Sequence, residues 1–144
     1  MITYWMRKKR QKIASAPRIS DQAPVVCIGN LVVGGSGKSP LVMSLALRLK
    51  DAGFSPGIVS RGFGGSVTNL PIEVTEHSEP HVVGDEPLML KIRTRCPVVV
   101  CRDRAKAVDR LCFHHQVDVV LADDGLQNMQ LWRDLSICVF NKQQ

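Results

Sequence analysis

The stretch Cys27-Ile28-Gly29-Asn30-Leu31-Val32-Val33-Gly34-Gly35-Ser36-Gly37-Lys38-Ser39-Pro40 constrains the fold most, because it drives an apolar run through glycines straight into a helical pattern. Pro24 to Ile28 has the composition of a buried strand, and Leu41 to Leu49 carries apolar residues at helical spacing. Between them Gly34, Gly35 and Gly37 lack a Cβ, so the turn that they form with Ser36 can aim several N–H groups inward at a helix N-terminus, a cradle for a polyphosphate. In the pattern G-x-x-x-x-G-K-[ST], the lysine reaches the β- and γ-phosphates and the hydroxyl meets Mg²⁺, which assigns those roles to Lys38 and Ser39. The first glycine of that pattern would fall at position 32, which is valine, so the match is partial and leans on its strand, turn and helix context. Pro40 suits a first helical turn, where a missing N–H costs nothing. A Gly-rich turn that binds no ligand is the competing reading, and the Lys38-Ser39 pair weighs against it.

A chain of 144 residues is about one domain. Its 44% hydrophobic and 22% charged residues match a folded core rather than a disordered chain. The net charge of +6 is local: Arg7, Lys8, Lys9, Arg10, Lys12 and Arg18 precede the first acid, and the rest of the chain is balanced. Residues 1–22 therefore read as a basic arm and 23–144 as the nucleotide-binding domain. Met1-Ile2-Thr3-Tyr4-Trp5-Met6 before the cations suits a bilayer interface, since Tyr and Trp favour headgroups and cations favour anionic lipid. A solvated tail or a nucleic-acid contact fits the arm as well, although a balanced body with 5% aromatics argues against nucleic acid as the partner. The cysteines at 27, 96, 101, 112 and 138 form no C-x-x-C pair and read as reduced thiols of a cytoplasmic protein. No apolar stretch approaches the roughly 18 residues of a membrane span, and no secretory signal follows the cations.

Downstream, Gly57 to Ser60 reads as a strand that opens into Arg61-Gly62-Phe63-Gly64-Gly65, where Arg61 would face a nucleotide crevice at a strand's C-terminal end. Ile72-Glu73-Val74 is a candidate edge strand, and His77 and His81 read as loop histidines because Pro80 interrupts any helix joining them. A helix is expected from Asp85 to Thr94, its leading Asp85 and Glu86 serving either as caps or as a base and a Mg²⁺ ligand. Pro97 to Val100 is a buried parallel strand, and Arg102 to His115 a helix whose last-turn His114 and His115 suit its dipole. Val117 to Ala122 delivers Asp123 and Asp124 at a strand end, the Walker-B arrangement for holding Mg²⁺ beside phosphates. Ser136 to Phe140 is a last strand, expected to leave an exposed sheet edge. The sum is an α/β fold, a P-loop NTPase-like parallel sheet flanked by helices.

Gly29-Asn30, Gly34 to Pro40, Ser60-Arg61-Gly62-Phe63-Gly64-Gly65, Gly84-Asp85-Glu86-Pro87, Asp103-Arg104 and Asp123-Asp124-Gly125-Leu126-Gln127 together resemble the tetraacyldisaccharide 4′-kinase family of lipid A biosynthesis. The resemblance implies transfer of the γ-phosphoryl group of ATP, with Mg²⁺, to the 4′-hydroxyl of an acylated glucosamine disaccharide 1-phosphate on the route to lipopolysaccharide. It implies that Gly34, Gly35, Ser36, Gly37, Lys38, Ser39 and Arg61 bind nucleotide, that Ser39, Glu86, Asp123 and Asp124 surround the metal, and that Lys38 and Asp85 carry the catalysis, Asp85 as the base. It also implies a peripheral enzyme on the cytoplasmic face of the bacterial inner membrane; the oligomeric state is left open. Three departures qualify the match: Asn128 stands where the family has histidine, the N-terminal anchor is reduced to Met1 to Lys12, and the family is roughly twice this length. A form lacking the C-terminal lobe is thus expected to hold nucleotide and to transfer phosphate slowly or not at all. The alternatives are a non-catalytic nucleotide-binding remnant or a P-loop GTPase-like switch; for the latter, Asn141-Lys142-Gln143-Gln144 lacks the base-reading aspartate.

Overall fold

A computed structural model describes residues 2–5, 23–30, 38–62, 64–123, 126 and 131–140. Seven strands form one sheet: β1 (Ile2–Trp5), β2 (Val25–Asn30), β3 (Pro56–Ser60), β4 (Ile72–Val74), β5 (Val98–Val100), β6 (Val119–Asp123) and β7 (Leu135–Val139). The helices are α1 (Lys38–Asp51), α2 (Pro80–Val83), α3 (Asp85–Thr94) and α4 (Arg104–His115). The strand order is β1-β7-β2-β6-β3-β5-β4, with the five inner strands parallel and both outer ones antiparallel to their neighbours. This is the expected α/β fold, with an antiparallel strand added at each edge.

Alternating side chains of the inner strands feed two cores. Val25, Cys27, Val59, Val99, Val120 and Ala122 meet Ala107, Val108 and Leu111 of α4 on one face. Ile28, Ile58, Val98, Val100 and Leu121 meet Val42 and Ala46 of α1 and Leu90 of α3 on the other. A strand covered on both faces must be apolar at successive positions, which is why β5 reads Val-Val-Val. The helices end where their chemistry dictates: after α1, Gly53 adopts φ 90° and its N–H bonds the Lys50 carbonyl at 3.0 Å. The Asp103 side chain accepts from the Ala105 and Lys106 amides, so α4 starts at Arg104 rather than at Arg102.

Two further expectations are corrected. The last strand does not form the sheet edge, because β1 pairs along it antiparallel, Ile2 opposite Val139 through Trp5 opposite Ser136. His81 lies in helix α2, not in a loop, since Pro80 occupies the first helical turn, where it sacrifices no hydrogen bond; its ring meets Glu79 at 3.0 Å. Residues 6–22 of the basic arm lie outside the described residues.

Candidate functional site

From β2 the chain passes through α1 to β3 and leaves a strand-wide space that β6 later fills. The C-terminal ends of β2 and β6 thus lie side by side, with Ile28 opposite Asp123, at the place where open α/β sheets bind ligands. Lys38 and Ser39 open α1 at this edge; Lys38 is half-buried and Ser39 is buried. Asp85 and Glu86 open α3, which packs beside α1. The residue before them, Gly84, provides no side-chain cap, and the Glu86 carboxylate instead accepts a hydrogen bond from the Ser39 hydroxyl. Two residues 47 apart in sequence are joined there, a hydroxyl and a carboxylate from two helix N-termini.

Asp123 is 2% exposed at the end of β6. Beneath it lies Arg104, also 2% exposed, which donates from Nη2 to the Asp123 carbonyl at 3.1 Å and from Nη1 to the Cys101 carbonyl at 3.3 Å. One guanidinium so ties the C-terminal ends of β5 and β6 to the first turn of α4. Arg104 carries no role in the sequence reading beyond its place in a motif. A signal existed: it precedes Ala107, Val108 and Leu111 at spacings of three, four and seven, on the helix face that is otherwise apolar.

Arg61 follows β3 directly and is exposed at the same sheet edge. Its loop is closely seated on the α2–α3 junction. The Ser66 amide donates to the His81 carbonyl at 3.0 Å, and a Cβ on Gly65 would fall 2.4 Å from the Val82 carbonyl oxygen. Gly34, Gly35, Ser36, Gly37 and Asp124 lie outside the described residues. Lys38, Ser39, Arg61, Asp85, Glu86 and Asp123 therefore sit on one edge, with Ser39 and Glu86 in direct contact.

Among the described residues no group of three or more His, Cys, Asp or Glu side chains forms a cluster fit for a metal ion. The donor set at this edge is of another kind, one hydroxyl touching one carboxylate with a further carboxylate at a strand end. It suits Mg²⁺, which takes hard oxygens from one or two carboxylates and leaves its remaining positions to phosphate and water. A soft or thiolate-seeking ion would find no matching donors in that set.

The whole chain, residues 1–144, matches the family described as LpxK, tetraacyldisaccharide-1-P 4′-kinase. A tetraacyldisaccharide 4′-kinase of Coxiella burnetii (strain Dugway 5J108-111) is 52% identical over 118 residues, which cover 82% of this chain and 36% of the relative. That of Herminiimonas arsenicoxydans is 49% identical over 130 residues, covering 90% and 36%. That of Pseudoalteromonas atlantica is 40% identical over 146 residues, covering 97% and 47%. Among solved structures, the crystal structure described as the "apo" form of LpxK from Aquifex aeolicus in complex with ATP superposes with a TM-score of 0.70 at 37% identity, over 79% of this chain and 37% of that one. The chain thus spans between about a third and a half of the length of these relatives, and over that span it belongs to the tetraacyldisaccharide-1-phosphate 4′-kinase family.

Proposed function

We propose that this chain carries the nucleotide- and metal-binding half of an ATP-dependent kinase that phosphorylates the 4′-hydroxyl of tetraacyldisaccharide 1-phosphate. The observation that carries the proposal is the Ser39–Glu86 hydrogen bond, which joins the helix after the glycine-rich turn to the helix bearing the two acids, beside the strand end of Asp123. Phosphoryl transfer asks a protein chiefly for charge neutralisation and in-line positioning. In this reading Lys38 neutralises the β- and γ-phosphates, and the N–H groups of Gly34, Gly35, Ser36 and Gly37 bind their oxygens. Arg61, exposed at the same edge, adds a further cation. Ser39, Glu86, Asp123 and Asp124 would hold Mg²⁺, which when bound draws charge from the bridging oxygens. Asp85 would take the proton of the acceptor hydroxyl; both acids at the head of α3 are exposed, but Glu86 is engaged with Ser39.

The acceptor, an acylated glucosamine disaccharide 1-phosphate, would be met at the cytoplasmic face of the inner membrane, with the basic residues of 1–22 at the lipid interface. No helix among the described residues is long and apolar enough to cross a membrane. We assign most of the acceptor-holding surface to the part of the relatives that this chain does not span, so this chain alone is expected to bind nucleotide with little transfer. Calorimetry with Mg²⁺-ATP tests the site. Binding by the parent, and a loss of about ten- to a hundredfold in Lys38→Ala, is expected for a charge-assisted contact of about 1.5–3 kcal/mol. Equal affinity in the variant, or a preference for GTP, refutes it.

A further inference from the structure

The connection from β6 to β7 carries an arrangement that the nucleotide-site reading does not use. These two strands are parallel and lie on either side of β2, so their link must return from the C-terminal to the N-terminal edge of the sheet. Here only residues 124–134 are available between Asp123 and Leu135. Leu126 and Leu131 belong with the α4-side core, which puts these two residues on the face of β2 that shows Val25 and Cys27.

The link is fastened along that strand. At its start the Leu126 side chain lies over Gly29, close enough that a Cβ there would fall 2.6 Å from Leu126 Cγ. Gly29 directly follows Ile28, the register partner of Asp123. Next, the Arg133 guanidinium donates from Nη1 to the Leu126 carbonyl at 3.1 Å and lies against the Cys27 thiol. At its end the Asp134 carboxylate accepts from the Val25 amide at 2.9 Å, while the Asp134 amide donates to the Val25 carbonyl at 2.9 Å. The geometry points to Leu126 and Arg133 as positioning residues, which lock the chain leaving Asp123 onto Gly29 and thereby set the Asp123 carboxylate relative to the strand that leads into the glycine-rich turn.

The physical reason is that a side chain at a strand end is held from both sides: pairing with Ile28 and the Arg104 bond fix the Asp123 backbone itself, and the chain beyond it sets how far that end can shift. Among the described residues, the contact of Leu126 with β2 is a fixed point three residues beyond Asp123. Releasing it lets the metal-facing carboxylate move against the phosphate-facing loop without touching any group that contacts phosphate. Glycine at 29 is required for this seating, because a methyl group there would displace Leu126.

This inference rests on the nucleotide-site reading, and its test separates the two. ATP affinity is measured by calorimetry on the full chain, in Mg²⁺ and in EDTA, for the parent, Leu126→Ala, Arg133→Ala and Arg133→Lys, with circular dichroism to establish folding. The expected result is that the ratio of the two affinities falls about five- to tenfold in both alanine variants, the scale of one lost hydrogen bond or its equivalent in packing. Affinity in EDTA should stay within about twofold, and Arg133→Lys, which keeps a donor, should recover most of the ratio. A general loss of structure would lower both affinities together, and that outcome overturns the assignment. An unchanged ratio in folded variants overturns it as well. Should Leu126→Ala fail to fold, Leu126→Val and the Arg133 pair carry the same comparison. A parent chain without ATP affinity in either condition removes the nucleotide-site reading and this inference with it, whereas a metal-dependent parent with metal-dependent variants removes only this inference.

Discussion

Gly65→Ala tests whether the Arg61 loop and the acids of α3 form one unit. An ideal Cβ at position 65 stands 2.4 Å from the Val82 oxygen, 2.8 Å from the Gly84 nitrogen and 2.9 Å from the Val82 carbonyl carbon. All three are main-chain atoms, so no rotamer change relieves the contact, and the loop must part from the α2–α3 junction by about half an ångström. Overpacking of this kind costs about 1–3 kcal/mol. The separation also strains the hydrogen bond from the Ser66 amide to the His81 carbonyl, whose loss would add about 1 kcal/mol. A combined cost of about 2–4 kcal/mol corresponds to a fall in Tm of roughly 6–16 °C for a domain of this size. Gly64→Ala is the control: its φ of 83° makes a side chain strained, but nothing lies within 4 Å, so only a conformational cost of about 1–2 kcal/mol applies. Scanning calorimetry on the three proteins should order them parent, Gly64→Ala, Gly65→Ala. Gly84 caps the helix that presents Asp85 and Glu86, so under the proposed function Gly65→Ala should also weaken Mg²⁺-ATP binding severalfold, and Gly64→Ala should not. A Tm for Gly65→Ala within about 2 °C of the parent would show that the junction yields freely and that the loop and the acids are not coupled.

Two further outcomes follow from titratable groups elsewhere. On β4, Glu73 meets Arg110 Nε at 3.0 Å and His115 Nε2 at 3.1 Å, both on α4. Burial works to raise its pKa, but the hydrogen bonds from Arg110 and His115 outweigh this and hold it below the ordinary 4.5. A carboxyl lowered in the folded state stabilises above its unfolded pKa and loses that contribution as pH falls through the folded one. The urea midpoint of the parent should therefore exceed that of Glu73→Gln above about pH 5, with the gap closing at lower pH; partial exposure of all three side chains limits it to about 0.5 kcal/mol. Cys27, whose thiol burial raises to about 11 despite the nearby Arg133, should resist iodoacetamide at pH 8 while the half-buried Cys112 and Cys138 are modified, a result read by peptide mass spectrometry. Modification of Cys27 as fast as the other two would contradict its burial.

The parts of this fold that were legible in the sequence are those whose chemistry is local. Val98-Val99-Val100 and Val119 to Ala122 announce buried strands because both their faces are covered, and α3 falls at Asp85–Thr94 as the sequence suggested. The residue types of the candidate site were legible for the same reason, since lysine and serine after glycines, and acids at a helix start or strand end, are local signals. Partnership is not local. Glu86 touches Ser39 across 47 positions, and Asp134 holds Val25 across 109. Nothing in Ile2-Thr3-Tyr4-Trp5 tells a strand seeking β7 from a segment seeking a lipid interface, because β-branched and aromatic residues serve both. His81 is helical against the expectation from sequence because Pro80, a breaker inside a helix, is a starter in its first turn.

The strand order also bears on when the site can exist. β2 carries the approach to the glycine-rich turn and β3 the approach to Arg61, and the two have no backbone contact with each other; each is hydrogen-bonded to β6. Leu121 pairs with Val26 on one side and Ile58 on the other, and Ala122 with Cys27 and Val59. A chain ordered only as far as α4 would hold β3, β5 and β4 as one sheet and β2 apart from it. Entry of Val119–Asp123 joins them, and the same event delivers Asp123 to the edge and brings its carbonyl to Arg104. Assembly of the sheet and assembly of the candidate metal site are thus one step. A long-range insertion of this kind is slow, since the loop-closure cost precedes the pairings that offset it.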